Sequence, residues 1–428
     1  MFPVAVVLVL VSLAYLALVV VTSRRRVPVP LRGDDDLLYV VVVPCLDEEL
    51  VIAQTLDSLC ALPADRVRVL VMDDDSSDRT AEIADRYSPR VELIRRRRPR
   101  AQIGKGDSLN QAYQHLLATV GRPLDRVVIG VLDADGRIDP SALDVLDRYF
   151  SEPDVGGVQL AISIRNRHDG LLPRMQDFEF LGFAPTLLTA REHLGSVVLG
   201  GNGQFVRLAD LVGLGTAPWT DSLTEDLDLG VRLLLEGSRV RFTPHARVEQ
   251  QGLADVPRLV RQRTRWVQGH LQAWSLIPQV WRSSVPNRTF LDLLYILLAP
   301  GLMLLSSLVF ALAPLLLAWT LVSGAVSWGD SSLWFFLGIV YLLMFGPALY
   351  YGLSYARNRE DVGRLRALAV AHLMPLYTYV WYVAAWRALG RLVLRRRGWA
   401  KTARLHEEGD TPDSLDAHTP RHARKVPA

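Results

Sequence analysis

The sequence predicts an α/β unit with a mostly parallel sheet, joined to transmembrane and interfacial helices. Three observations carry this. Short β-branched apolar runs alternate with helical patterns over the first third of the chain, as a parallel sheet covered on both faces requires. These runs end in acids, and open α/β sheets bind ligands beyond the carboxyl ends of their strands. Long, nearly uncharged stretches flank the unit on both sides. Composition agrees: of 428 residues, 50% are hydrophobic and 22% charged, too apolar for an ordinary soluble enzyme and too charged for a bare helix bundle. It excludes a disordered or fibrous chain. Two cysteines, Cys45 and Cys60, exclude a disulfide framework and a multi-cysteine metal site.

Residues 2–21 are long enough to cross about 30 Å of hydrocarbon. No basic residue precedes them and Arg24-Arg25-Arg26 follows, which argues against a cleaved signal peptide and keeps the following residues on the cytoplasmic side. Residues 1–23 therefore read as an anchor and 24–289 as a cytoplasmic domain. Within that domain, residues 38–43 (LYVVVV), 67–72 (VRVLVM) and 126–132 (RVVIGVL) read as strands, and 48–59 and 80–87 as helices.

Three more apolar segments follow, 290–322, 333–355 and 367–389, with Trp and Tyr near their ends as at membrane interfaces. Residues 290–392 read as transmembrane and interfacial helices. Ala299-Pro300-Gly301 is expected to break the first segment, and Pro375 to interrupt the third, where residues 373–382 fit a re-entrant turn. Three crossings would leave Arg395-Arg396-Arg397 outside, against the charge rule, so the number of spans stays open. Residues 393–428 read as a basic segment and a disordered polar tail.

The net charge is only +3, but Lys105, Lys401 and Lys425 are the only lysines among 48 basic residues. A lysine between Gly104 and Gly106 stands out, because a compact ammonium approaches phosphate where Arg is too bulky. The first strand ends in Pro44-Cys45-Leu46-Asp47-Glu48 and the second in Asp73-Asp74-Asp75. Gly104-Lys105-Gly106, Asp133-Ala134-Asp135, Gly200-Gly201-Asn202-Gly203, Thr224-Glu225-Asp226 and Gln262-Arg263-Thr264-Arg265-Trp266 follow in order.

Over about residues 38–290 this ordered set resembles the family 2 glycosyltransferases of GT-A fold, a nucleotide-diphospho-sugar transferase domain. Among them it looks most like the membrane polysaccharide synthases of the cellulose, chitin, hyaluronan and poly-N-acetylglucosamine type. The resemblance implies Asp226 as catalytic base. Pro44, Glu48, Asp73, Asp74, Lys105, Asp133, Gln262 and Arg265 would bind the nucleotide donor. Gly201, Asn202, Glu225 and Trp266 would bind the acceptor, with Asp133 and Asp135 on Mg²⁺ or Mn²⁺. Asp47 stands where the family usually has Asn. Trp399, Thr402 and Arg404 resemble an element that closes over the nucleotide.

Blander readings stand beside these. Asp75, Ser76 and Asp78 suit caps of the following helix. Asp221 and Asp228 suit capping and solvent-facing roles. Arg258, Arg261, Arg263 and Arg265 suit a helix resting on lipid phosphates. Arg95 to Arg98 read as a solvated or lipid-facing run, and His115, His193, His245 and His270 as structural.

The expected activity is inverting, metal-dependent transfer from a UDP-sugar to a growing polysaccharide at the cell membrane, by a multi-pass protein with a cytoplasmic catalytic domain. The alternative is transfer of one sugar to a lipid acceptor. An inactive nucleotide-sugar-binding subunit is the remaining class. Expected partners are the UDP-sugar, a glycan or lipid-linked acceptor, membrane lipids and accessory export proteins. Nucleic acid is excluded by the acids at the cleft.

Overall fold

The computed structural model describes residues 2–25, 27–324, 329 and 331–395. The Trp399, Thr402 and Arg404 element, Arg396-Arg397 and the polar tail lie outside these. The sheet contains β1 (Leu38–Cys45), β2 (Val67–Asp73), β3 (Val91–Arg95), β4 (Val127–Val131), β5 (Arg137–Ile138), β6 (Val155–Ile164), β7 (Gln204–Arg207) and β8 (Arg239–Gln250). Its order is β3-β2-β1-β4-β7-β6-β8-β5. The first four strands run parallel, as do β6 and β8. Only β7 and β5 pair antiparallel. The three predicted strands are β1, β2 and β4, three of the four in that first parallel set.

Helix α1 (Phe2–Thr22) precedes the sheet. Helices α2 (Ile52–Cys60), α3 (Thr80–Asp85), α4 (Lys105–Thr119) and α5 (Ala142–Phe150) join strands. After β6 come α6 (Leu171–Phe178), a π-helical turn over Glu179–Phe183, and α7 (Ala184–Leu194). Helices α8 (Leu208–Gly213) and α9 (Glu225–Leu235) lead into β8. Then come α10 (Val256–Gln272), α11 (Ile277–Arg282), α12 (Asn287–Val322), α13 (Ser331–Asn358), α14 (Arg364–Ala371) and α15 (Met374–Val393). Ile52, Leu56, Ile83, Leu146 and Phe150 cover one face of the sheet. On the other face Leu109, Leu116, Leu229 and Leu233 join Leu293, Ile296 and Leu297 of α12. The α/β unit and the first C-terminal apolar helix thus share a core.

Polar contacts tie the apolar helices to the unit. Asp292 of α12 accepts from Tyr15 of α1 at 2.8 Å and from Ser196 at 2.7 Å, with Arg191 of α7 at 3.2 Å. Fully buried Asp177 accepts from the Ile164 N–H, Tyr355 and Arg359. These pairs fix α1, α12 and α13 against α6 and α7.

Of the two proline expectations, one is corrected and one holds. Pro300 does not break its segment, since α12 runs unbroken over 36 residues. Pro300 removes the donor to the Ile296 carbonyl; beside it the Trp274 indole donates to the next carbonyl, Leu297, at 2.6 Å. The expected interruption of the third segment at Pro375 is borne out: α14 ends at Ala371 and α15 begins at Met374. Pro375 sits in the first turn of α15, where its missing N–H costs nothing, and the 42° bend falls between α14 and α15. Among the described residues, α12 (over Asn287–Leu312) and α13 are long and apolar enough to cross a membrane, with α14 and α15 a third if the bent pair is one span.

Candidate functional site

A cavity of about 630 Å³ opens at the carboxyl ends of β1 and β4. Pro44, Glu48, Asp74, Lys105, Asp133, Gly201, Asn202, Glu225, Asp226, Gln262, Arg265 and Trp266 all line it. Residues 222 positions apart in the chain thus meet in one cleft. Asp73 and Asp135 do not line it. Asp73 is fully buried at the end of β2, 3.5 Å from Arg95. Asp135 is buried and accepts from the Gln251 N–H at 3.1 Å.

Lys105, first residue of α4, is the centre of the cavity floor. Its Nζ donates to Asp133 Oδ1 at 2.6 Å and to the Gly201 carbonyl at 2.8 Å, and lies 3.9 Å from Glu225 Oε1. Burial alone would lower its pKa, but Asp133 and Glu225 together hold it above the ordinary value. The adjacent glycine explains how α4 gets so close: a Cβ on Gly106 would fall 2.3 Å from the Thr220 carbonyl oxygen. A Cβ on Gly201 would meet Asp226 Oδ2 at 3.2 Å and Lys105 Nζ at 3.4 Å. Bare backbone therefore borders the carboxylate here. Asn202 accepts from the Asp133 N–H at 3.1 Å and donates to Gln250 at 3.0 Å, bracing the end of β4.

Glu225 and Asp226 form the first turn of α9. Burial raises both carboxyl pKa values, Glu225 to about 7 with the Asp226 charge adding to its rise, while the Leu227 N–H and Lys105 partly offset the rise at Asp226. A carboxylate held so is suited to accept a proton near neutral pH. Helix α10 packs on this turn at Gly269, where a Cβ would meet Thr224 at 2.6 Å. The same helix brings His270 to the cavity, its pKa lowered by burial and its Nδ1 2.9 Å from the Trp266 carbonyl. His270, read as structural from sequence, faces the Asp226 side of the cleft. Nothing in its local sequence marks it, except its place four residues after Trp266. Asp228 is corrected: it is buried and paired with Arg232 at 2.7 Å rather than solvent-facing.

The wall that carries Asp74 is held by a second device. Strands β2 and β3 pair with Asp73 opposite Arg95, so the acids and arginines that follow meet one to one. Arg95 lies 3.5 Å from Asp73, Arg96 2.6 Å from Asp74, and Arg97 2.8 Å from Asp75. Arg96 is only 2% exposed and also bonds Asp107 and Gln111, which corrects its reading as a solvated or lipid-facing residue. Burial raises the pKa of Asp74, partly offset by the Gln102 N–H and Arg96. Asp47, at φ 50°, accepts from the Ser77 N–H, and Asp78 accepts from the Thr80 N–H, so these acids shape the turn.

On the opposite wall, Gln262, Arg265 and Trp266 present one side of α10 to the cavity. Arg263 turns the other way and is fully buried, which corrects its reading as a lipid-facing side chain. It pairs with Glu179 at 2.9 Å and lies over the Trp266 ring at 3.9 Å.

Among the described residues, no three His, Cys, Asp or Glu side chains converge on a metal position. Asp133 alone of the expected pair faces the cavity. That donor set suits a hard cation held by one or two carboxylates and completed by substrate phosphates, not an all-protein cage.

The chain belongs to glycosyltransferase family 2: residues 36–269 match the model described as glycosyltransferase like family 2. The fold is of the GT-A type, and a mannosyltransferase of Pyrobaculum calidifontis in complex with GDP-Man and Mn²⁺ shares it (TM-score 0.57, 18% identity, 88% of this chain and 98% of that one). A beta-monoglucosyldiacylglycerol synthase of Synechocystis sp. is 31% identical over 304 residues, 67% of this chain and 61% of that protein. A poly-beta-1,6-N-acetyl-D-glucosamine synthase of Staphylococcus aureus is 27% identical over 236 residues, 53% of each. The chain thus spans about half to three-fifths of the length of these curated relatives.

Proposed function

We propose that the protein transfers a single sugar, glucose in the first instance, from a UDP-sugar to a membrane lipid of the diacylglycerol class, with inversion. The observation that carries the transfer reading is the convergence of Asp133, Lys105, Glu225 and Asp226 on one cavity floor. The lipid acceptor rests on similarity to the glucosyldiacylglycerol synthase, which is stronger than that to the polymer synthase. The order expected from sequence, polymer first and lipid second, is therefore reversed.

The acceptor hydroxyl attacks the anomeric carbon as its bond to the diphosphate oxygen breaks. The hydroxyl proton passes to Asp226, and UDP leaves with the bonding electrons. Such a base contributes about 10²–10⁴-fold. Lys105 supplies positive charge beside the departing phosphates, and Glu225 holds Lys105 in place. A Mg²⁺ or Mn²⁺ ion on Asp133 would neutralise diphosphate charge. Asp74 and Glu48 read the nucleoside; Gln262 and Arg265 hold the diphosphate; Trp266 stacks against the acceptor. Helices α12 and α13 are proposed as paired membrane spans. With α15 lying in the interface along α10, Arg395 then stays on the cytoplasmic side with the catalytic unit, as the charge rule asks.

The test measures UDP release by the full chain in liposomes, with UDP-glucose and other donors, with and without dioleoylglycerol and Mn²⁺. Release from UDP-glucose that requires both the lipid and the ion is expected. Release that ignores the lipid would contradict the acceptor assignment.

A further inference from the structure

Behind the acceptor wall lies a buried charge, Arg263, that does not line this cavity. Arg263 stands over three aromatic rings, Trp266 at 3.9 Å, Trp381 at 5.0 Å and Phe180 at 5.8 Å. Its guanidinium donates to Glu179 at 2.9 Å, and Tyr377 donates to the same Glu179 oxygen at 2.7 Å. Three elements contribute: Arg263 and Trp266 come from α10, Glu179 and Phe180 from the π-helical turn, and Tyr377 and Trp381 from α15.

The rings around Arg263 also touch one another. Phe180 meets Trp266 edge-on at 6.3 Å, and Trp266 meets Trp381 at 6.1 Å. Two of these rings, Phe180 and Trp266, line the cavity. The third, Trp381, belongs to α15, an apolar helix outside the α/β unit. An indole alone on a helix surface can turn about two torsions. Here one face of Trp266 is claimed by a desolvated guanidinium, and cation–π attraction is strongest when the cation is out of water. Glu179 keeps that cation in place, and Tyr377 keeps Glu179 in place.

We propose that Arg263 is a positioning residue for the acceptor: through its cage it fixes the Trp266 and Phe180 rings, and it makes acceptor recognition depend on the docking of α15. The rings form an apolar corner of the cavity on the side facing α15. An acceptor with an apolar portion beside its hydroxyl fits that corner. This inference rests on the lipid-acceptor reading above and adds what sets its specificity. Arg263 itself touches neither substrate.

The test uses the full chain in liposomes with UDP-glucose and dioleoylglycerol, comparing wild type with Arg263→Lys, Trp381→Phe and the double variant Arg263→Met, Glu179→Gln. The double variant removes both charges, so no lone buried carboxylate remains to unfold the protein. The expected result is an apparent KM for dioleoylglycerol raised about tenfold in the double variant, the scale of one desolvated cation–π contact. Smaller rises are expected for the conservative variants. In Trp381→Phe, which leaves the Arg263 bond to Gln262 Oε1 at 3.1 Å in place, the KM for UDP-glucose and kcat at saturating lipid should stay within about twofold, because those read the donor side. An unchanged lipid KM would overturn the proposal. So would donor and lipid parameters worsening together in Trp381→Phe, since that is a general structural role. Absence of any wild-type transfer to lipid would instead count against the functional reading.

Discussion

Lys105 faces Asp133 and Glu225 within 4 Å, with Asp226 beyond, so single substitutions here separate donor binding from chemistry. Asp226→Asn should abolish transfer while leaving UDP binding within a few-fold; retained transfer, measured as labelled product, would remove Asp226 as base. The pH profile gives a second check. The base must be unprotonated and burial raises its pKa, so kcat should rise with pH along a limb above the ordinary carboxylate value of about 4. A limb at that ordinary value would show that another group carries the proton. Arg96→Met leaves Asp74 and Asp107 without their cation. Breaking such a buried pair costs about 3–5 kcal/mol, and the KM for UDP-glucose should rise as the Asp74 wall loosens. Thermal unfolding and donor kinetics together check it. At this scale Lys105 was legible because lysine is so rare in the chain. Arg96 was not, because its role comes from a register between strands, although each run follows a strand end. His270 was hidden for a similar reason: only the packing of α10 on α9 brings it to the cleft.

Close approach between elements is bought with glycine. α4 meets the loop before α9 at Gly106, and α10 meets the start of α9 at Gly269. Gly106→Ala places a methyl against the Thr220 carbonyl, where overpacking costs about 1–3 kcal/mol; a lower unfolding midpoint in detergent is expected. Gly269→Ala pushes Thr224 and so moves Asp226. It should lower kcat more than it raises the donor KM, and an equal loss in both would point to general unfolding instead. Strands β1, β2 and β4 could be read from sequence because both their faces are buried, which leaves an unbroken apolar run. β7 is only four residues, and β8 carries Arg, His and Glu among its apolar positions, so neither shows such a run. The break at Pro375 was legible because a proline in the first turn of a helix marks where the previous helix has ended; the one expected at Pro300 did not occur, since α12 continues through it.

The whole molecule joins an α/β catalytic unit to apolar helices through a shared core and buried polar pairs, not through a loose linker. Leu293, Ile296 and Leu297 of α12 lie in the sheet's own core, and Asp292 receives bonds from α1 and from the segment after α7. The protein should therefore remain in the vesicle fraction after alkaline carbonate extraction, and release into the supernatant would contradict α12 and α13 as spans. The same arrangement brings Trp266 of the cavity wall against Trp381 of α15, and the proposed lipid acceptor would enter on that side. Composition already joined a charged half to an apolar half, but no count could show that they meet at the acceptor wall. The most direct test is the product formed when the full chain in dioleoylglycerol liposomes consumes excess radiolabelled UDP-glucose. One lipid-extractable product bearing a single sugar is the expected result, while label that accumulates in an alcohol-insoluble polymer, with no glycolipid, would contradict the account.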